Sequence, residues 1–161
     1  MKIIFIHLLN DFSGSPKVLS QIVKSYKNKN HDVELFTSKD EGFLSNIVDK
    51  HHNFFYKRFE NKFLTLFSYI LSQVHLFFKI LFSKSNIVYI NTLLPFGAAL
   101  GAKISKKEVI YHIHETSIKP NILKKFLRYI VSITASKIIF VSNDLAQKEK
   151  FENKKSFVIH N

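Results

Sequence analysis

Unbroken runs of apolar, β-branched residues alternate along this chain with segments whose apolar positions recur every three or four residues. Lys2 to Leu8 is a near-continuous apolar run, as expected of a strand buried on both faces of a parallel sheet. It gives way to the polar loop Asn10-Asp11-Phe12-Ser13-Gly14. Ser15-Pro16 then reads as a helix N-cap followed by proline at the first helical position. Val18, Leu19, Ile22, Val23 and Tyr26 keep helical spacing to about Asn28, and Asn30 stands where a helix end takes a left-handed residue. His31 to Thr37 alternates as a second strand, which makes the opening a βαβ unit with a right-handed crossover.

The same alternation continues. Phe43 to Lys50 reads as a short helix, His52 to Lys57 as a third strand, and Asn61 to Ser83 as the longest helix. Strands are predicted over Ile87–Asn91, Glu108–His114, Lys137–Val141 and Phe157–Ile159, with helices over Pro95–Ser105 and Ile122–Ile133 and a short one from Asn143. Strands alternating with helices predict an α/β fold, a doubly wound, Rossmann-like parallel sheet. No repeat, low-complexity linker or internal boundary appears, so residues 1–161 are expected to form one domain.

The long helix raises the question of a membrane. Phe63 to Phe82 spans twenty residues, near the length that crosses a bilayer. Thr65, Ser68, Ser72, His75 and Lys79 recur three or four apart and share one face, which makes the segment amphipathic. A surface helix packed on the sheet is the plain expectation. An interfacial helix is the alternative, with Phe77, Phe78 and Phe82 in lipid and Lys57, Arg58, Lys62 and Lys84 near headgroups.

Composition narrows the classes. Hydrophobic residues make up 46% of the chain, which argues for a globular core over disorder. The absence of cysteine excludes disulfides and thiolate metal sites, and the short apolar start predicts no signal peptide, so a cytoplasmic location is expected. A net charge of +12 attracts phosphates, whether of anionic lipid, nucleic acid or a nucleotide-sugar, although a bias to Lys, Asn, Ile and Phe also follows from AT-rich coding. The basic residues are scattered and no reading motif appears, which argues against nucleic acid.

Three places could carry chemistry. The loop after the first strand has Gly14 for close backbone approach and a following helix whose free N–H groups suit a phosphate or carboxylate, though a simple strand-to-helix turn explains it equally. No G-x-G-x-x-G or Walker lysine is present. Tyr111-His112-Ile113-His114-Glu115-Thr116 puts His112 and His114 on one side of a strand, with His114 and Glu115 at its carboxyl end. A histidine there can bond a sugar hydroxyl, and a neighbouring carboxylate can fix its tautomer. His112 reads as a satisfied core histidine, His51-His52 as a polar loop end, and H-x-H lacks a third metal ligand. Asn91-Thr92 and Ser142-Asn143 close two further strands and are candidate cleft residues, the latter pair also reading as a helix cap.

These residues together resemble the N-terminal, acceptor-binding domain of family 4 retaining glycosyltransferases of the GT-B fold. The resemblance rests on Asp11-Phe12-Ser13-Gly14-Ser15, Asn30-His31-Asp32-Val33, Asn86 to Asn91, His114-Glu115, Ala135 to Ser142, and Val158-Ile159-His160-Asn161, which is similar to the family's V-I-x-N-G-V-D link between domains. It departs where the family's loop glycine pair is Gly14-Ser15 here and where Asn30 replaces a glycine.

The resemblance implies a nucleotide-sugar as co-substrate with no bound cofactor or metal, and a cell-surface polysaccharide or lipid-linked acceptor. It implies Gly14 and Ser15 facing donor phosphates or acceptor, and catalytic roles for His114, in contact with the donor sugar, and Glu115. It further implies that the donor-binding half with its E-x7-E motif lies outside this sequence, so the chain alone is expected to be inactive until a covalent or separately encoded half completes it. The rival expectation is a non-catalytic module that binds an anionic membrane surface or a partner through helix 61–83 and the lysines.

Overall fold

The computed structural model describes residues 1–39, 41–115, 118–152 and 154–160. Thr116 and Asn161, which entered the motifs above, lie outside the described residues. Seven parallel strands form one sheet: β1 (Lys2–Ile6), β2 (Asp32–Ser38), β3 (Lys50–Phe54), β4 (Ile87–Asn91), β5 (Glu108–Ile113), β6 (Lys137–Phe140) and β7 (Lys155–Val158), in the order β3-β2-β1-β4-β5-β6-β7. Helices α1 (Gly14–Asn28), α2 (Lys62–Leu81), α3 (Phe96–Ile104), α4 (Asn121–Thr134) and α5 (Asn143–Lys148) connect them. Strand order reverses between β1 and β4, where Ile3 lies opposite Val33 on one side and Ile87 on the other.

Apolar residues on both sides of each central strand generate two cores. Ile3, Phe5, Leu35 and Tyr89 pack under α1 through Leu19 and Val23. Ile4, Ile6, Val88, Ile90, Tyr111 and Phe140 pack under α2 to α5 through Leu76, Ile80, Ala98, Leu127 and Leu145. The near-continuous apolar strands follow from this two-sided burial.

Several local expectations are corrected. Helix α1 starts at Gly14 with Ser13 as its N-cap, so Ser15 lies inside the first turn and Pro16 is buried in it. Residues 43–49 form turns instead of a helix. The buried Asn10 explains this, because its Oδ1 accepts from the Leu44 N–H and its Nδ2 donates to Ser45, holding the backbone open. His51 and His52 belong to β3, not to a loop end: His51 bonds Thr37 Oγ1 at 2.7 Å and His52 stacks on Phe36. Asn30 does take the left-handed conformation, at φ 57°.

Helix α2 packs against α3, with part of its polar stripe turned inward. Ser68, Ser72 and Gln73 are buried, while Phe63, Phe67, Ile70, Leu71, Val74 and Phe78 are exposed. The buried polar groups have work to do at the backbone. Ser68 Oγ accepts from the Lys57 N–H at 2.8 Å, and Gln73 Oε1 accepts from the Gly97 N–H at 3.0 Å, at the start of α3. The helices approach so closely that a Cβ at Gly97 would sit 2.0 Å from the Gln73 carbonyl oxygen, and one at Gly101 2.5 Å from that of Phe77.

Gly97→Ala is therefore expected to destabilise the fold by about 1–3 kcal/mol through overpacking. Gly14→Ala, whose Cβ meets nothing within 4 Å, should change stability by less than about 1 kcal/mol and in the favourable direction, as an alanine in a helix does. Urea unfolding of the two variants checks the contrast; equal stabilities would refute the close helix contact.

Candidate functional site

Polar side chains close the three central strands at the point where strand order reverses. His7 follows β1, Asn91 ends β4 and His114 follows β5. The buried Asn91 carboxamide joins them. Its Nδ2 donates to Ser15 Oγ at 2.9 Å, lies 3.3 Å from the Ser15 carbonyl oxygen and 3.2 Å from His7 Nδ1, while its Oδ1 is 2.9 Å from His114 Nε2. His7 Nδ1 also lies 3.2 Å from the Asn91 backbone oxygen. Four elements thus meet on one side chain.

The loop above this knot is open. Asp11 accepts hydrogen bonds from the N–H and hydroxyl of Ser13, an arrangement that turns the chain into α1. Gly14 is exposed with empty space where a Cβ would stand, and its φ is not positive, so its value is room for a neighbour and not backbone freedom. In the first turn Pro16 has no N–H and the Lys17 N–H bonds Ser13, which leaves the N–H groups of Gly14 and Ser15 without an intrahelical partner.

The histidines are held neutral. Burial takes His7 down to about 4, against the opposing pull of its Asn91 contact and Asp11. Burial takes His112 to about 4, and burial with the neighbouring His112 and His7 takes His114 to about 3. The His112 ring packs against that of His114, tilted by 47° with ring centroids 4.3 Å apart, and its Nδ1 meets the Tyr89 hydroxyl at 2.9 Å. Its Nε2 has no partner among the described residues, so His112 is a core histidine satisfied at one nitrogen only.

The sequence-predicted residues separate on this geometry. Ser15, Asn91 and His114 come together, with Gly14 next to Ser15 at the start of α1. Glu115 does not orient the imidazole as expected: its carboxylate accepts from the backbone N–H groups of Leu93 at 3.1 Å and His114 at 3.3 Å, and burial raises its pKa despite these bonds. Thr92 is buried at φ 82°, a rare conformation for a β-branched residue, and turns the chain so that Leu93 can reach Glu115. Ser142 caps α5, its Oγ accepting from the Leu145 N–H at 3.2 Å. His7 and Asn10 were missed. The usable signal was that His7 is the first polar residue to interrupt the apolar run that begins at Ile3, just past β1, as Asn91 and His114 stand at the ends of β4 and β5.

The sequence profile of Glycosyltransferase Family 4 matches residues 12–161. Solved structures share the fold: Anabaena Alr3699/HepE in complex with UDP and glucose (TM-score 0.70, 17% identity, 100% of this chain and 44% of that one), and the apo lipopolysaccharide outer core galactosyltransferase WaaB (0.70, 19%, 100% and 46%). The UDP-GlcNAc 2-epimerase of Methanocaldococcus jannaschii is also similar (0.61, 19%, 100% and 46%). The chain thus spans less than half the length of these proteins. No curated protein matches it.

Stability should depend on pH through the three imidazoles. Each titrates near 6.5 when unfolded and near 4 or 3 when folded, so its contribution is complete above pH 6.5 and is lost as pH falls through 4. For the buried His7 this amounts to about 3 kcal/mol. Urea midpoints should fall between pH 7 and 4, less steeply in His7→Gln; a flat profile would show that these histidines are not held neutral.

Proposed function

Because the chain belongs to Glycosyltransferase Family 4, we propose that it forms the acceptor side of the cleft in a retaining GT-B enzyme. That enzyme moves a sugar from a nucleotide-sugar to a cell-surface polysaccharide or lipid-linked acceptor. The observation that carries this reading is the open, polar end of the sheet, where Gly14, Ser15 and a neutral His114 converge at the strand-order switch point, the usual ligand position in open α/β sheets. N–H groups without an intrahelical partner at the start of α1 favour an anionic or strongly polar ligand group there. His114 offers a hydrogen bond to a sugar hydroxyl without carrying charge. The donor-binding half, covalent or separate, supplies the stabilisation of the departing diphosphate, normally the larger part of such catalysis. No bound cofactor enters this scheme.

The test begins with the intact species captured from native cells by an antibody against this domain, assayed with labelled nucleotide-sugars and a membrane or polysaccharide fraction. Transfer is expected, and His114→Ala and Gly14→Val should each lower kcat/KM by roughly 100-fold while leaving the fold intact. Transfer at wild-type rate in both variants would overturn the site.

A location on the inner face of the membrane is favoured by one further observation. The exposed face of α2 presents Phe63, Leu64, Phe67, Ile70, Val74 and Phe78, beside the exposed Phe82, and the helix has no acidic residue. Lys57, Arg58, Lys62, Lys79 and Lys84 are exposed around it. Such a face fits an anionic bilayer surface, with the helix lying in the interface and its inner side kept on α3. The chain should sediment with phosphatidylglycerol vesicles but less with phosphatidylcholine, and Phe63→Ser with Phe67→Ser should abolish it. Vesicle binding without any transfer by the intact species would favour the non-catalytic module; no vesicle binding would remove the peripheral location.

A further inference from the structure

We propose that Asn91 is a positioning residue: its carboxamide holds His114 as the Nε2–H tautomer, leaving Nδ1 as a bare lone pair that accepts a hydroxyl of the bound ligand. This rests on the sugar-transfer reading for the ligand, but the tautomer follows from the chain alone.

The chain of constraint starts at a backbone carbonyl. The Ser15 oxygen can only accept, and it lies 3.3 Å from one end of the Asn91 amide, whose nearer neighbour is Ser15 Oγ at 2.9 Å. If the amide were turned over, Asn91 Oδ1 would face that carbonyl, two acceptor-only oxygens in a part-buried contact. The NH2 group must therefore point to α1, and Oδ1 must point to β5. There it meets His114 Nε2 at 2.9 Å. An oxygen with only lone pairs requires the proton on that nitrogen, so a neutral His114 has none on Nδ1.

The surroundings agree with a neutral ring. From β5 the His112 ring lies against His114, and from β1 His7 approaches the same carboxamide. Glu115, on the segment of His114 itself, spends its carboxylate on the backbone N–H groups of Leu93 and His114 and gives the ring no counter-ion. His114 is half-buried, and its Nδ1 has no hydrogen-bond partner among the described residues. The side chain that sets this acceptor comes from β4, 23 residues away, and its own orientation is set by α1, 76 residues away. A ligand hydroxyl can donate to Nδ1; a carbonyl or phosphate oxygen cannot. The site thus discriminates for a hydroxyl-bearing group at this point, as buried hydrogen-bonding sites do against analogues that cannot complete the bond.

Long-range nitrogen–proton correlation spectra of the isotopically labelled chain, without substrate, read the tautomer directly. The expected result is Nε2–H for His114 in wild type and in Ser15→Ala, which keeps the backbone carbonyl. In Asn91→Asp a carboxylate replaces the amide oxygen, and the His114 titration midpoint should rise by about 1–3 units. An Nδ1–H ring in wild type, or an Asn91→Asp midpoint equal to wild type, would overturn the proposal. The wild-type tautomer decides the matter even where a variant does not fold. Since no substrate is present, a missing transfer activity leaves this result standing, and the reverse also holds.

Discussion

Polar groups at the ends of buried parallel strands must be satisfied out of water, and in this protein one carboxamide meets most of that demand. Asn91 bonds side chains or backbone of β1, α1 and β5 at once, at the place where strand order reverses. The geometry of this end of the sheet depends on it. Ser15 fixes the amide, the amide fixes the imidazole, and both follow from the parallel register that brings Asn91 opposite His112 and sets β1 beside β4. A buried network of this kind is costly when incomplete and rigid when complete. The neutral histidines follow from the same burial.

A second constraint shapes the packing of α2 on α3. Helix α3 is short and glycine-bearing, and it can approach α2 only over small or hydrogen-bonding side chains. Ser68 and Gln73 supply that surface by accepting from backbone N–H groups of the preceding loop and of the α3 start, while the Ser72 hydroxyl donates back to the Tyr69 carbonyl within α2. Leu76 and Ile80 still reach the core, but much of the apolar surface of α2 is left outside as a consequence. An amphipathic helix ordinarily hides its apolar face; here the inner face was already taken by backbone partners. The exposed phenylalanines are thus a result of helix packing, and they are what gives the basic surface around them a membrane as a candidate neighbour.

The strand-and-helix order was legible because burial on both faces leaves long apolar runs and because helices keep their own period. Errors fell where a single tertiary hydrogen bond outweighed local preference. The 43–49 segment has helix-like apolar spacing, yet Asn10 takes the Leu44 N–H and opens it into turns. Ser15-Pro16 has the pattern of a cap, yet the Asx turn at Asp11 starts the helix earlier. Glu115 was correctly seen as adjacent to His114 and wrongly given to its ring, because adjacency in sequence says nothing of where a carboxylate turns.

By itself, then, the sequence determined the fold class, the family and, apart from the 43–50 segment, the order of elements, since these rest on periodicity and on short motifs carried within single elements. It also marked the polar residues at the strand ends as candidates for a site. Only the tertiary structure decided which of those ends meet, which nitrogen of His114 is held, and which face of the long helix looks outward. Those outcomes depend on contacts between residues dozens of positions apart, and a pattern with a period of two or 3.6 residues has no means of recording them.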